Sequence, residues 1–209
     1  MNNRVGGPAA PAGDAGALLA HLADDLDEGF ADLVRSEERV VYSVALRMTR
    51  SSSEAEDLTA ETFLRAYRAL RGYDRGRVLA LRPRSWLLTI TLNTWRNSLR
   101  DASRRPDSVS IGDLPDSRAS DQDVEQAVES AESQRELGRL VAQLPVAQRV
   151  AVVLRHVVGL PMVEVAAVLR CPEGTAKSHV SRGLSKLRTL YGAVPLSSEP
   201  ALVGKRGLR

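Results

Sequence analysis

A chain of 209 residues with 43% hydrophobic residues has room for one ordinary domain or two small ones. Its lone cysteine, Cys171, excludes an intramolecular disulfide and any cysteine-rich zinc site, and fits a reducing cytoplasm. Three scattered histidines (His21, His156, His179) and no phosphate loop leave no grouping for acid–base, nucleophilic or metal catalysis, so no catalytic residue, cofactor, metal or small-molecule substrate is expected.

The elements follow in chain order. Residues 1–25 are rich in Gly, Ala and Pro and are expected to form a disordered extension. The apolar patch at residues 17–23 is short, interrupted by His21 and followed by acids, which argues against a signal peptide. No apolar run approaches membrane-spanning length, so no membrane insertion is expected. From Asp27, Phe30, Leu33, Val34, Val41, Val44, Ala45 and Met48 recur at helical spacing. Three serines (51–53) break that helix, and Ser53 is the expected N-cap of an acidic helix from Glu54. In this helix Phe63, Tyr67 and Leu70 share one face, and Asp57, Leu58, Glu61 and Arg65 are expected on the opposite, exposed one. A loop at residues 72–83 leads to a third helix, residues 85–101, and closes a first domain of residues 26–102. Residues 103–120, with abundant Pro, Ser, Gly and Asp, read as a flexible linker. The second domain, residues 121–191, should hold one helix to Leu144, another from Pro145 to a stop at Gly159, and a helix–turn–helix. Residues 192–209 read as a disordered tail. The fold class is therefore all-α, two small helical domains joined by an acidic linker.

Charge divides along the same lines. Residues 61–100 carry nine basic side chains against two acids, whereas residues 107–136 carry nine acids against two arginines. Segregation of this kind points to a polyanionic partner more strongly than the net charge of +3 does.

The stretch LPMVEVAAVLRCPEGTAKSHVSRGLSKLR, residues 160–188, carries the strongest functional signal. On a helix of 3.6 residues per turn, Ala176, Val180, Gly183, Leu184, Leu187 and Leu190 form a packing stripe, while Lys177, Ser178, Ser181, Arg182, Ser185 and Arg188 face outward. Those outward side chains can bond phosphates and base edges, and Arg182 is the best candidate for a bidentate contact to guanine. A solvated basic face on a purely structural helix is the ordinary alternative, but the short turn and the small residues suited to helix crossing favour a groove-binding helix. His179 lies on the flank of this helix, and Cys171 reads as a small turn residue.

In the first domain, Leu88, Leu92, Trp95 and Leu99 form an apolar stripe, and Thr89, Asn93, Arg96, Asn97 and Arg100 a polar edge. Amides and guanidinium groups in register suit an opened strand, whose bases are accessible from their faces and Watson–Crick edges. The loop before it, with Tyr73, Arg75, Arg77, Arg82 and Arg84, is placed to hold such a strand. Trp86 is open to stacking on a base and to the core packing more usual for tryptophan. An exposed Leu58 beside Asp57 and Glu61 suits a protein partner with basic residues around an apolar contact.

Taken together, EAEDLTAETFLRAYRAL, RSWLLTITLNTWRN, LPVAQRVAVVLR and GLPMVEVAAVLRCPEGTAKSHVSRGLSKLR resemble the extracytoplasmic-function (ECF) sigma factors of bacterial RNA polymerase, over roughly residues 30–190. The resemblance implies a non-enzymatic, cytoplasmic subunit that binds core polymerase through Asp57, Leu58 and Glu61. It implies capture of the opened −10 strand by Trp86, Asn93, Arg96, Asn97 and Arg100, and recognition of the −35 duplex by Lys177, Ser178, Ser181, Arg182 and Arg188. Core RNA polymerase, promoter DNA and an anti-sigma factor are the partners it implies. The chain departs from the family's usual residues at Ala60, Pro161 and His179. A free-standing helix–turn–helix regulator binding duplex DNA is the alternative, and it leaves the reading edge from Trp86 to Arg100 and the exposed acidic helix without a use.

Overall fold

The computed structural model describes residues 12–104 and 136–192, and every regular element among them is helical. Helix α1 (Ala12–Asp24) is followed by α2 (Leu26–Thr49), α3 (Ser52–Leu70), the short α4 (Arg75–Leu79) and α5 (Pro83–Arg104). After them come α6 (residues 136–142), α7 (Val146–Val152) running into a π-helical turn (Val153–Val157), α8 (Met162–Leu169) and α9 (Glu173–Gly192). Residues 105–135 and 193–209 lie outside the described residues. So do most of the expected linker, the start of the helix expected at Asp121, and almost all of the tail expected from Gly192.

Local chemistry sets the ends of the first elements. Asp25 caps α2, its carboxylate accepting from the backbone N–H of Asp27 at 3.0 Å and of Glu28 at 3.2 Å. Arg50, with φ 66°, closes α2 in the left-handed conformation. The chain then extends at Ser51, whose hydroxyl accepts from the Glu54 N–H. The cap of α3 is thus Ser51 and not Ser53. In a run of three serines the backbone conformation selects the cap, and only Ser51 lies in the extended region just before the helix.

Residues 1–25 were expected to be disordered, but Ala12–Asp24 is helical, with Leu19 and Leu22 buried. Gly29 lets this helix approach α2: a Cβ there would lie 2.4 Å from the Leu22 Cα. Composition masked this helix, because its apolar face is only a few leucines among alanines and glycines. One apolar cluster gathers Leu22, Leu33, Val41, Phe63, Ala66, Leu70, Val78 and Leu87 from α1 to α5. The Phe30 ring meets Phe63 edge-on at 6.3 Å and Tyr67 at 5.1 Å.

A second cluster joins the two halves of the chain. Met48, Ala55, Leu58, Leu88, Leu92 and Trp95 pack in it with Val141, Val150, Leu154, Val165, Val168 and Leu169. Two polar contacts cross the same seam, Arg82 to Glu164 at 2.8 Å and Arg149 to the Met48 carbonyl at 3.5 Å. The two helical units are therefore in contact, an arrangement that a pattern read one helix at a time does not contain.

Candidate nucleic-acid interface

The helix–turn–helix begins where Gly159, at φ 83°, ends the π-helical turn. Arg170, at φ 56°, closes α8, and the Cys171 N–H reaches the Ala166 carbonyl at 3.1 Å. Pro172 then accepts from the Ala176 N–H at 3.1 Å and launches α9. Gly183 allows α9 to cross α7 closely, since a Cβ there would lie 2.6 Å from Val152 Cγ2. Ala176, Val180 and Gly183 are buried as the packing stripe. Lys177, Ser178, Ser181 and Arg182 line one open depression on the outer face, and Arg188 is exposed further along.

Among the described residues, Arg182 makes no ion pair, so its five donors are presented to solvent. Lys177 holds Glu173 at 2.7 Å, a surface pair of one helical turn that another anion can displace. The Ser178 hydroxyl donates to the Gly174 carbonyl at 2.9 Å and keeps its lone pairs for an incoming donor.

On α5, Asn97 and Arg100 are exposed, and Asn93 and Arg96 are half-buried. Burial, with Arg170 and Arg100 nearby, holds the Arg96 guanidinium below the usual arginine value. It remains cationic, so the rim of the seam carries positive charge from both units. Leu88, Leu92 and Trp95 pack in the shared cluster as the apolar stripe required, whereas Leu99 is exposed. Trp86 packs in the first cluster, its ring 6.1 Å from that of Tyr73. The Arg77 guanidinium lies over the other partner of this stack, 3.7 Å from the Tyr73 centroid.

Three of the four loop arginines pair with carboxylates. Arg84 is bidentate to the buried Glu37 at 2.8 and 3.1 Å, Arg82 pairs with Glu164, and Arg75 pairs with Asp24. Arg84 is thereby a clamp between α2 and α5. Arg77 keeps an exposed guanidinium against Tyr73.

The polymerase-facing expectation needs one correction. Asp57 is exposed and Glu61 half-exposed, but Leu58 is 7% exposed and sits in the shared cluster. At about 100° per residue, Leu58 falls on the edge of the buried side of α3, where the second unit covers it. Leu64, 44% exposed, lies instead on the face of Asp57 and Glu61. Its i+7 and i+3 spacing from those acids was readable in the sequence.

Residues 33–105 match the family described as Sigma-70 region 2, and residues 134–187 match Sigma-70, region 4. The ECF RNA polymerase sigma factor SigM of Mycobacterium tuberculosis is 30% identical over 179 residues, covering 86% of this chain and 85% of its own. The chain belongs to the ECF sigma factors. The ECF sigma factor SigE of Mycolicibacterium smegmatis is 32% identical over 157 residues, which are 75% of this chain and 59% of that relative. A solved structure of the sigma factor RpoE with the anti-sigma factor NepR, from Bartonella quintana, matches at TM-score 0.65 and 22% identity, over 79% of this chain and 98% of that one. That likeness is one of fold. Helix α1 of this sigma factor precedes the residues that match region 2, and among the described residues no helix is long and apolar enough to cross a membrane.

Proposed function

We propose that this sigma factor directs core polymerase to its promoters by reading two DNA elements with two faces. The outer face of α9, with Lys177, Ser178, Ser181, Arg182 and Arg188, takes the −35 duplex in its major groove. Arg182 is the base-reading side chain and Lys177 a phosphate contact. The polar edge of α5, with Asn93, Arg96, Asn97 and Arg100, and the loop that leads to Trp86 take the opened −10 strand. Capturing unstacked bases offsets a cost of about a few kcal/mol per base, so opening needs no nucleotide chemistry in this chain. The protein acts in the cytoplasm as a non-enzymatic subunit.

Core polymerase is held through α3, by Asp57 and Glu61 together with Leu64. An anti-sigma factor is the inhibitory partner that the family and the RpoE–NepR likeness support. The observation that carries this reading is the pairing of two polar surfaces on one chain, the exposed face of α9 and the partly exposed edge of α5: a free-standing duplex regulator uses only the first.

Run-off transcription on a genomic promoter library tests it, using purified core polymerase with and without the protein. Discrete start sites that need the protein support the reading and define both promoter elements. Duplex binding without polymerase, and no new starts, would falsify it.

A further inference from the structure

Helix α4 has five residues, too few for a helix to hold itself in water. It belongs to the loop before Trp86, and its conformation must come from its neighbours. Its own cap is Asp74, which accepts from the Arg77 N–H at 2.8 Å. Its one buried residue, Val78, lies in the same cluster as Leu22 of α1, which is 2% exposed. Its first residue, Arg75, is ion-paired with Asp24, the last residue of α1. The outward residues Gly76, Arg77 and Leu79 stay exposed. Helix α1 thus contacts α4 both beneath and at its start.

The position of α1 is itself set by α2. A Cβ on Gly29 would lie 2.4 and 2.5 Å from the Cα and N of Leu22 and 2.8 Å from the carbonyl carbon of His21. All three are backbone atoms, so no side-chain rotation relieves the contact. His21 Nδ1 adds a contact to Asp32 of α2 at 2.7 Å. The chain of support therefore runs from Gly29 through Leu22 and Asp24 to Val78 and Arg75.

We propose that α1 is a brace that sets the conformation of the strand-capturing loop, with Leu22, Asp24 and Gly29 as positioning residues that decide how sharply the −10 sequence is discriminated. This inference rests on the assignment of that loop and α5 to the opened strand. Small displacements of groups that touch a reacting or recognised base have large effects, and α1 controls such a displacement without touching DNA.

The test uses the full chain in holoenzyme, bound to fork DNA with a single-stranded −10 segment. Affinities are measured for the cognate segment and for its single-base variants. Gly29→Ala drives α1 away from α2 and costs stability as well, so the unchanged affinity for core polymerase and the milder Asp24→Ala separate the brace from general stability. Gly29→Ala should lower the ratio of cognate to variant binding by about tenfold, with core polymerase affinity unchanged within about twofold. Asp24→Ala frees Arg75 and leaves the α1 packing in place, and should lower the ratio by about threefold, with Asp24→Glu restoring it.

Wild-type discrimination in both Gly29→Ala and Asp24→Ala overturns the brace, as does a parallel loss of core binding in both. Asn93→Ala separates this failure from that of the reading beneath it. If Asn93→Ala weakens fork binding while the brace variants do not, only the brace falls. If Asn93→Ala is also silent, the strand-capture assignment falls with it.

Discussion

At the scale of single residues, the informative distinction is between side chains that the fold has engaged and those it leaves open. Arg84 and Arg182 are both arginines in basic stretches, yet Arg84 is clamped to Glu37 and Arg182 makes no ion pair among the described residues. Arg182→Ala should weaken −35 duplex recognition by about 1–3 kcal/mol and relax the base preference at one position, measured by holoenzyme binding to a set of −35 variants. Loss of affinity that is uniform across the set would reassign Arg182 to a phosphate. Leu58 and Leu64 make the same contrast among apolar residues. Leu58→Ala should cost about 2–5 kcal/mol of stability by denaturant titration, because it removes buried packing. Leu64→Ala should leave stability within about 0.5 kcal/mol and weaken core polymerase binding, a split that a purely structural α3 would not produce.

At the scale of elements, close backbone crossings at two glycines organise the molecule, α1 over α2 at Gly29 and α9 over α7 at Gly183. The second positions the outer face of α9, so Gly183→Ala tests how much of that face depends on the crossing. The added methyl meets Val152 Cγ2 at 2.6 Å and, at 3.4 Å, the Cβ and carbonyl oxygen of Gln148. Overpacking of this kind should cost about 1–3 kcal/mol. Adding Val152→Ala to Gly183→Ala should recover part of it, read from the midpoint of thermal unfolding, whereas strict additivity would place the strain elsewhere. The helix periods, the breaks at residues 51–53 and at Gly159, and the packing stripe of α9 were legible because each depends on spacing along one helix. The π-helical turn was not legible, since periodicity does not specify which carbonyl each N–H will take. Helix α1 was missed because its burial depends on α2 and α4 being in place.

At the scale of the whole molecule, the units share an apolar cluster that reaches from Val44 to Val180. Trp95→Ala, the largest side chain that α5 contributes to it, should therefore cost about 3–5 kcal/mol and lower one common unfolding transition. Calorimetry and circular dichroism check this together: coincident transitions are expected, and two separated ones would mean that each unit unfolds alone. Glu164→Ala removes the exposed Arg82 pair and should change stability by no more than about 1 kcal/mol. Burial of apolar surface, not the ion pair at the seam, holds the units together.

The sequence by itself determined the all-α class, the helix–turn–helix and its outward polar face, and the polar edge of α5, because these follow from a 3.6-residue period, local breaks and residue chemistry. Tertiary structure decided which exposed-looking residues were available. It buried Leu58, engaged Arg75, Arg82 and Arg84, and docked α1 beneath the loop before Trp86. The physical reason is that burial and ion pairing depend on atoms brought together from distant points of the chain, whereas periodicity records only which side of its own helix a residue occupies.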